Sequence, residues 1–134
     1  DDLQFLAVSY CKEIISKEGR KKFGLGNTTA AQTLRLYEML HKQQLVSKAA
    51  CAEMLGHLRL CEDKSKLARY LPASAKIAHK GGSVTASRCD AGIIESPSGA
   101  IAVCVLTTGN SDKRWITDNA ANRLCANIAK SAYD

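Results

Sequence analysis

No stretch of this chain is apolar for long enough to suggest a membrane span: "AIAVCVLTT", its richest run, falls far short of the roughly 20 residues a spanning helix needs. The opening residues do not read as a signal peptide, and none is expected here. The six cysteines (Cys11, Cys51, Cys61, Cys89, Cys104, Cys125) include no C-x-x-C pair, which argues against a structural metal site. A zinc set can be drawn from Cys51, His57 and Cys61, since His57 and Cys61 share a helix face, but no second ligand pair accompanies it. Neither a metal nor a cofactor is expected. Aromatics are also scarce. The densest basic patch, "SKEGRKK" from Ser16 to Lys22, contains a glutamate and is followed by the single ring of Phe23. Basic helix ends of this kind suit the negative helix C-terminus, so the net charge of +6 does not imply a nucleic-acid partner.

What is present is ordinary globular composition, 46% hydrophobic and 24% charged, with no repeat and no low-complexity segment. A chain of 134 residues makes one domain. It opens on Asp1-Asp2 in place of methionine, which leads us to expect that something upstream was removed. Several cysteines lie in apolar periodic segments, as Cys104 does in "IAVCVL", and read as reduced core residues.

The organisation changes character at Pro72. Before it, "DDLQFLAVSYCKEIISKEGRKK" places Leu3, Leu6, Tyr10 and Ile14 at helical spacing, with acids first and bases last. "FGLGN" breaks that helix. Thr29, with Gln32 three residues on, is a capping-box pattern opening a second helix whose stripe is Leu36, Met39 and Leu40. Ser47 caps a third helix with Met54, Leu55 and Leu58 inward. After Pro72, "SAKIAHK", "CDAGIIES" and "AIAVCVLTT" are short runs with strand character, the last two joined by the turn "SPSG". A final helix is expected over "SDKRWITDNAANRLCANIAKSAY", with Ser111 or Asp112 as cap and Ile116, Ala120, Leu124 and Ile128 repeating at four. The expected fold class is α+β: residues 1–71 form a helical half, and residues 72–134 form an antiparallel three-stranded meander, strands 75–80, 89–96 and 100–107, plus a carboxy-terminal helix.

The step His79-Lys80-Gly81-Gly82-Ser83 is a plain turn or a strand edge bare enough for a ligand. Its neighbours favour the second reading. "FGLGNTTAAQTLRLYEML", "LVSKAACAEML", "YLPASAKIAHKGGS", "RCDAGIIESPSGAIAVCVLTTG" and the last helix, in that order, resemble the carboxy-terminal half of a class A β-lactamase-like serine hydrolase, of the penicillin-binding and transpeptidase superfamily. The resemblance covers about four fifths of the chain. It implies that "HKGGS" stands where that family carries Lys-Thr-Gly on the strand beside its catalytic cleft. Lys80 would then attract a substrate carboxylate, and Gly81 and Gly82 would let the strand backbone be approached closely. Gly81 departs from the pattern, because a hydroxyl residue normally stands there. Ser83 replaces it on the same strand face provided no bulge intervenes.

The resemblance also implies a nucleophile in an S-x-x-K motif, an S-D-N loop and a glutamate that activates water. "SYCK", Ser9 to Lys12, fits S-x-x-K and makes Ser9 and Lys12 the candidate catalytic pair, but it lies too close to "HKGGS" to leave room for the intervening helices. "TDN", Thr117 to Asn119, follows the strand motif instead of preceding it. Glu13 precedes Thr28-Thr29 at a plausible distance, with Ser16 where the family carries asparagine. Three classes follow: the carboxy-terminal portion of such a hydrolase, inactive alone; a non-catalytic descendant acting as a binding or self-associating module; and a shortened active hydrolase using Ser9 and Lys12. The expected partners are a β-lactam or peptidoglycan-like carboxylate ligand and either a second copy, through the first two helices, or a missing amino-terminal half. The family is usually periplasmic or secreted, whereas reduced cysteines and the absent signal peptide point elsewhere, so the sequence assigns no compartment.

Overall fold

A computed structural model of the chain describes residues 28–134. Within them the order is α1 (Ala30–His41), α2 (Lys48–Arg59), β1 (Lys76–Val84), β2 (Ser87–Ser96), β3 (Gly99–Leu106) and α3 (Ala120–Tyr133). The expected helix over the first 22 residues lies outside the described residues. The fold is α+β, with helices on both faces of a three-stranded antiparallel meander in the order β1-β2-β3. No helix among the described residues is long and apolar enough to cross a membrane.

Both leading helices start as their sequence dictates. Thr29 takes an extended conformation and its hydroxyl accepts from the Gln32 amide at 3.2 Å, while the Gln32 side chain accepts from the Thr29 amide at 3.1 Å. Two amides that lack helical partners are thereby satisfied. Ser47 does the same for α2, accepting from Ala50 N at 3.1 Å. The inward residues differ from expectation on α1: Tyr37 and Leu40 are buried, whereas Leu36 is exposed.

Strand alternation divides the core in two. Ala78, Ala91 and Ile93 face Tyr37, Leu40, Cys51 and Leu55 of α1 and α2. Ile77, Ile94, Val103 and Val105 face Leu67, Cys125 and Ala129 on the opposite side. The sheet is therefore buried on both faces, which matches the near-continuous apolar run of "AGII" in its central strand.

The β1–β2 hairpin extends further than the sequence suggests. Pairing continues without a bulge through Gly81↔Asp90, Gly82↔Cys89, Ser83↔Arg88 and Val84↔Ser87, leaving only Thr85 and Ala86 in the turn. Neither residue takes the positive φ that two-residue hairpins usually need. The strand ends are instead tied by Arg88, whose guanidinium donates to the Val84 carbonyl and, at 2.9 Å, to that of Ser87. The Ala86 carbonyl accepts from Asn110 N at 2.9 Å.

The last helix begins later than expected, at Ala120. Residues 107–119 are irregular because side chains hold their carbonyls: Arg69 donates to Thr117 O at 2.8 Å, and Asn119 Nδ2 donates to Asp112 O at 2.8 Å and Arg114 O at 3.0 Å. The cap is shared. Asn119 Oδ1 accepts from Ala121 N and Asp112 Oδ2 from Ala120 N, each at 2.9 Å. The ladder of fours is also on the outer side, with Ile116, Leu124 and Ile128 exposed, while Ala121, Cys125, Ala126 and Ala129 are buried. Small residues let α3 approach the sheet closely, and the larger ones are left facing outward.

Candidate functional site

β1 is an edge strand, and it carries the Lys-Gly-Gly step in its second half. Lys80 is exposed and its Nζ curls along the strand to the Gly81 carbonyl at 2.6 Å. Nothing among the described residues would touch a side chain at Gly82, so none of them closes the backbone there to approach. Ser83 is exposed and, with no bulge, shares a face with Gly81.

Gly81 is different. A methyl group there would lie 2.8 Å from Lys66 Cε and 3.1 Å from both Lys66 Nζ and Asp63 Oδ2. Lys66 is only 3% exposed and pairs with the half-buried Asp63, so an ion pair occupies the space a side chain would use. Burial pushes the Asp63 carboxyl upward, but hydrogen bonds from Lys66 and from the Ser65 hydroxyl and amide outweigh it and hold the group at about 2. Asp63 Oδ1 accepts from Ser65 N at 2.9 Å and Ser65 Oγ at 2.6 Å. Gly81→Thr should therefore destabilise the chain by about 1–3 kcal/mol, the usual range for overpacking. In a Lys66→Ala background the same change should cost clearly less. Thermal melts of the two singles and the double check this, and simple additivity would contradict the packing account.

Beneath Lys80 lies a second polar cluster that sequence reasoning missed. His79 and Asp90 are each 1% exposed, and His79 Nδ1 lies 3.0 Å from both Asp90 oxygens. Asp90 Oδ2 also accepts from the amide of Leu67 at 3.1 Å, tying the 63–67 segment to the sheet. His79 Nε2 is buried with no partner among the described residues. The available signal was an acid inside an apolar run, "CDAGII", within reach of a histidine once the hairpin is paired.

Ser9, Lys12, Glu13, Ser16 and the basic patch to Lys22 lie outside the described residues. Thr117 to Asn119 form the entry to α3, where Asp118 pairs with Arg69 at 2.9 Å and Asn119 is fully buried. The drawn zinc set is not gathered: Cys51 is buried with Sγ donating to Leu45 O at 2.8 Å, and His57 is exposed beside Glu53. No group of three or more metal-ligating side chains occurs among the described residues. Cys51, Cys61, Cys89, Cys104 and Cys125 are free thiols, and burial pushes the Cys125 thiol up to about 12.

This arrangement, a sheet covered on both faces with a lysine and two glycines on its edge strand, can be compared with known proteins. The description of the β-lactamase enzyme family matches residues 6–134. The chain belongs to that family. Among solved structures it resembles the TLA-1 extended-spectrum β-lactamase, at 28% identity and a TM-score of 0.72, over 80% of this chain and 41% of that one. A representative of class A β-lactamase from Bacteroides cellulosilyticus is 27% identical, with a TM-score of 0.68, over 80% of this chain and 40% of its own. The TLA-3 extended-spectrum β-lactamase is 25% identical over 94% of this chain and 52% of that one, with a TM-score of 0.74. No curated protein matches the chain. The chain thus spans about two fifths of the length of the first two relatives, and a β-lactamase-family fold is present here in part.

Proposed function

We propose that this chain is the carboxy-terminal portion of a β-lactamase-like serine hydrolase and supplies its substrate-carboxylate-binding strand. One observation carries the reading: an exposed Lys80 at the edge of the sheet, followed by backbone that is open at Gly82. The ammonium provides the charge for a carboxylate, and an unpaired strand edge provides amides and carbonyls for an extended ligand. Lys80, Gly81, Gly82 and Ser83 are the binding residues under this reading. Turnover requires a nucleophile, a base and oxyanion donors within hydrogen-bond reach of one carbonyl. Among the described residues only the binding strand answers to this list, and the reading expects no hydrolysis of a β-lactam by the chain alone.

A second reading, a non-catalytic descendant that binds without reacting, draws support from Gly81. The family hydroxyl is absent and its space is taken by the Lys66–Asp63 pair. Both readings treat residues 1–134 as one domain, and both accommodate a partner over the exposed residues Ile116, Leu124 and Ile128 of the α3 side.

The test is incubation of the purified chain with a penicillin-type acylating probe, followed by intact mass. No adduct is expected, together with a weak carboxylate affinity that falls about tenfold in Lys80→Ala, as loss of one charge-assisted contact of about 1.5 kcal/mol requires. A stoichiometric adduct that maps to Ser9 and vanishes in Ser9→Ala would overturn the proposal in favour of a shortened hydrolase using Ser9 and Lys12.

A further inference from the structure

β3 forms the second edge of the sheet and pairs with β2 alone among the described residues. It differs from β1 in what protects it. β1 carries Lys76, Lys80 and two glycines, whereas β3, "GAIAVCVL", has no charge, no proline and no bulge. An uncovered strand of that kind is a template for another strand. The Thr107 amide donates to the carbonyl of Arg88, which stands opposite it one step beyond the last pair of the ladder. Odd-numbered residues of β3 therefore bond to β2, and Ala100, Ala102, Cys104 and Leu106 aim their N–H and C=O groups outward.

The strand is complementary to itself. Antiparallel pairing of two β3 strands about Val103 sets Ala100 opposite Leu106, and Ala102 opposite Cys104, of a second copy. Every such pair joins two outward-bonding residues and sets a small side chain against a larger one. On the α1 face, Ala100 and Ala102 are exposed and line a groove of about 360 Å³ together with Leu34, Tyr37 and Ile93. Leu106 lies on the same face and is 39% exposed. In this register Leu106 of the second copy meets that groove.

The opposite face supplies a second layer. α3 packs across β2 and β3, while Lys66 and Leu67 cover the β1 side. The flank of α3 bearing Asn122 and Ala126 is buried; the other, bearing Leu124 and Ile128, is exposed and turns toward the β3 edge. A two-fold axis through paired β3 strands sets the two α3 helices about two strand steps apart. That is roughly 10 Å at about 4.8 Å per step, the spacing at which helices pack. The entry to α3 holds Arg69, Lys113, Arg114 and Arg123 against Asp112 and Asp118. Antiparallel helices bring that excess of positive charge to the negative end of the other helix, where Asp134 stands.

We infer that this chain forms a two-fold symmetric dimer, its two β3 strands pairing into one six-stranded sheet and its two α3 helices packing side by side. The pairing uses both β3 edges, so assembly closes at two copies. Self-association thus falls on the β3 side in place of the face of the first two helices. β1 and Lys80 lie at the opposite edge and stay free, so the inference is independent of the carboxylate reading.

Sedimentation equilibrium of the 134-residue chain from about 1 to 200 μM should show monomer and dimer exchanging with concentration, and nothing larger. Ala102→Lys and Ala102→Glu each place like charges near the axis at an exposed position, and each should weaken the dimer at least about tenfold. Mixed in equal amounts, the two variants should recover it, which a folding defect would not allow. Leu124→Glu should weaken it about tenfold as well, through the helix layer. Val84→Lys, on the β1 edge, should leave it unchanged. Circular dichroism checks folding, and if Ala102→Lys does not fold, Leu106→Lys reads the same edge by carrying a charge to the groove. A chain that stays monomeric across that range, leaving this edge to a different polypeptide, overturns the inference. So does a dimer that the Ala102 and Leu124 variants leave intact, or one that Val84→Lys weakens equally.

Discussion

Gly92→Ala should abolish or severely weaken folding. A methyl group at this position in β2 would lie 2.4 Å from the carbonyl oxygen of Ala78, 2.5 Å from His79 Cβ and 2.8 Å from His79 Cα. Two of these three atoms are backbone of the paired strand, and β1 cannot retreat without breaking the ladder that holds it. Overpacking costs about 1–3 kcal/mol where side chains can adjust, and more where they cannot. Against this, alanine lowers unfolded-state entropy by only about 0.4–1 kcal/mol. We expect a net loss of about 3 kcal/mol or more, a large share of the 5–15 kcal/mol that typically separates folded from unfolded domains. In a chain of this size it should lower Tm by more than about 10 °C. Gly82→Ala is the matched control, since nothing among the described residues lies within contact distance there, and its melt should stay close to the parent. A Gly92→Ala variant melting within a degree or two of the parent would show that β1 and β2 do not approach as closely as described.

This close approach explains what was and was not legible beforehand. Features governed by neighbouring residues read well: the Thr29–Gln32 box, the Ser47 cap and the Ser-Pro-Ser-Gly turn each act over three or four positions, and each appears where expected. Features governed by distant side chains did not. "GGS" reads as a turn in isolation, yet β1 runs through it to Val84 because Arg88 staples the hairpin from the partner strand. Ile116 continues a helical ladder on paper, but Arg69 and Asn119 hold the carbonyls around it in a non-helical path. Gly81 looked like a lost hydroxyl. Its neighbour Lys66 lies 15 positions earlier and could be placed against it only by the fold. The lysine of the candidate site was legible because an exposed charge beside two glycines is a local pattern. The polar support underneath it was not, because cross-strand pairing creates that support.

That support should be the most sensitive polar element of the molecule. Asp90→Ala removes the acceptor for His79 Nδ1 and for the Leu67 amide at once, and all three groups are buried. An orphaned buried donor costs about 1–3 kcal/mol, and breaking a buried polar pair from one side about 3–5 kcal/mol. We expect Asp90→Ala to fall in the latter range. His79→Ala should cost less, because Asp90 keeps its bond from Leu67 and the lost ring had one nitrogen without a partner. The double variant should be less destabilised than the sum of the singles, by about 0.5–3 kcal/mol, because the second truncation removes a group the first had already orphaned. Denaturant unfolding of the four proteins gives the cycle. Strict additivity would mean that His79 and Asp90 do not act as a pair. The cycle also bears on Lys80, which follows His79 directly in β1: a strand whose buried side is loosened presents its exposed side less firmly. Asp90→Asn keeps an oxygen able to accept one of the two bonds. It should therefore recover part of the lost stability and, with it, part of the carboxylate affinity at Lys80, whereas a chain that recovered stability without affinity would separate the fold of β1 from the site on it.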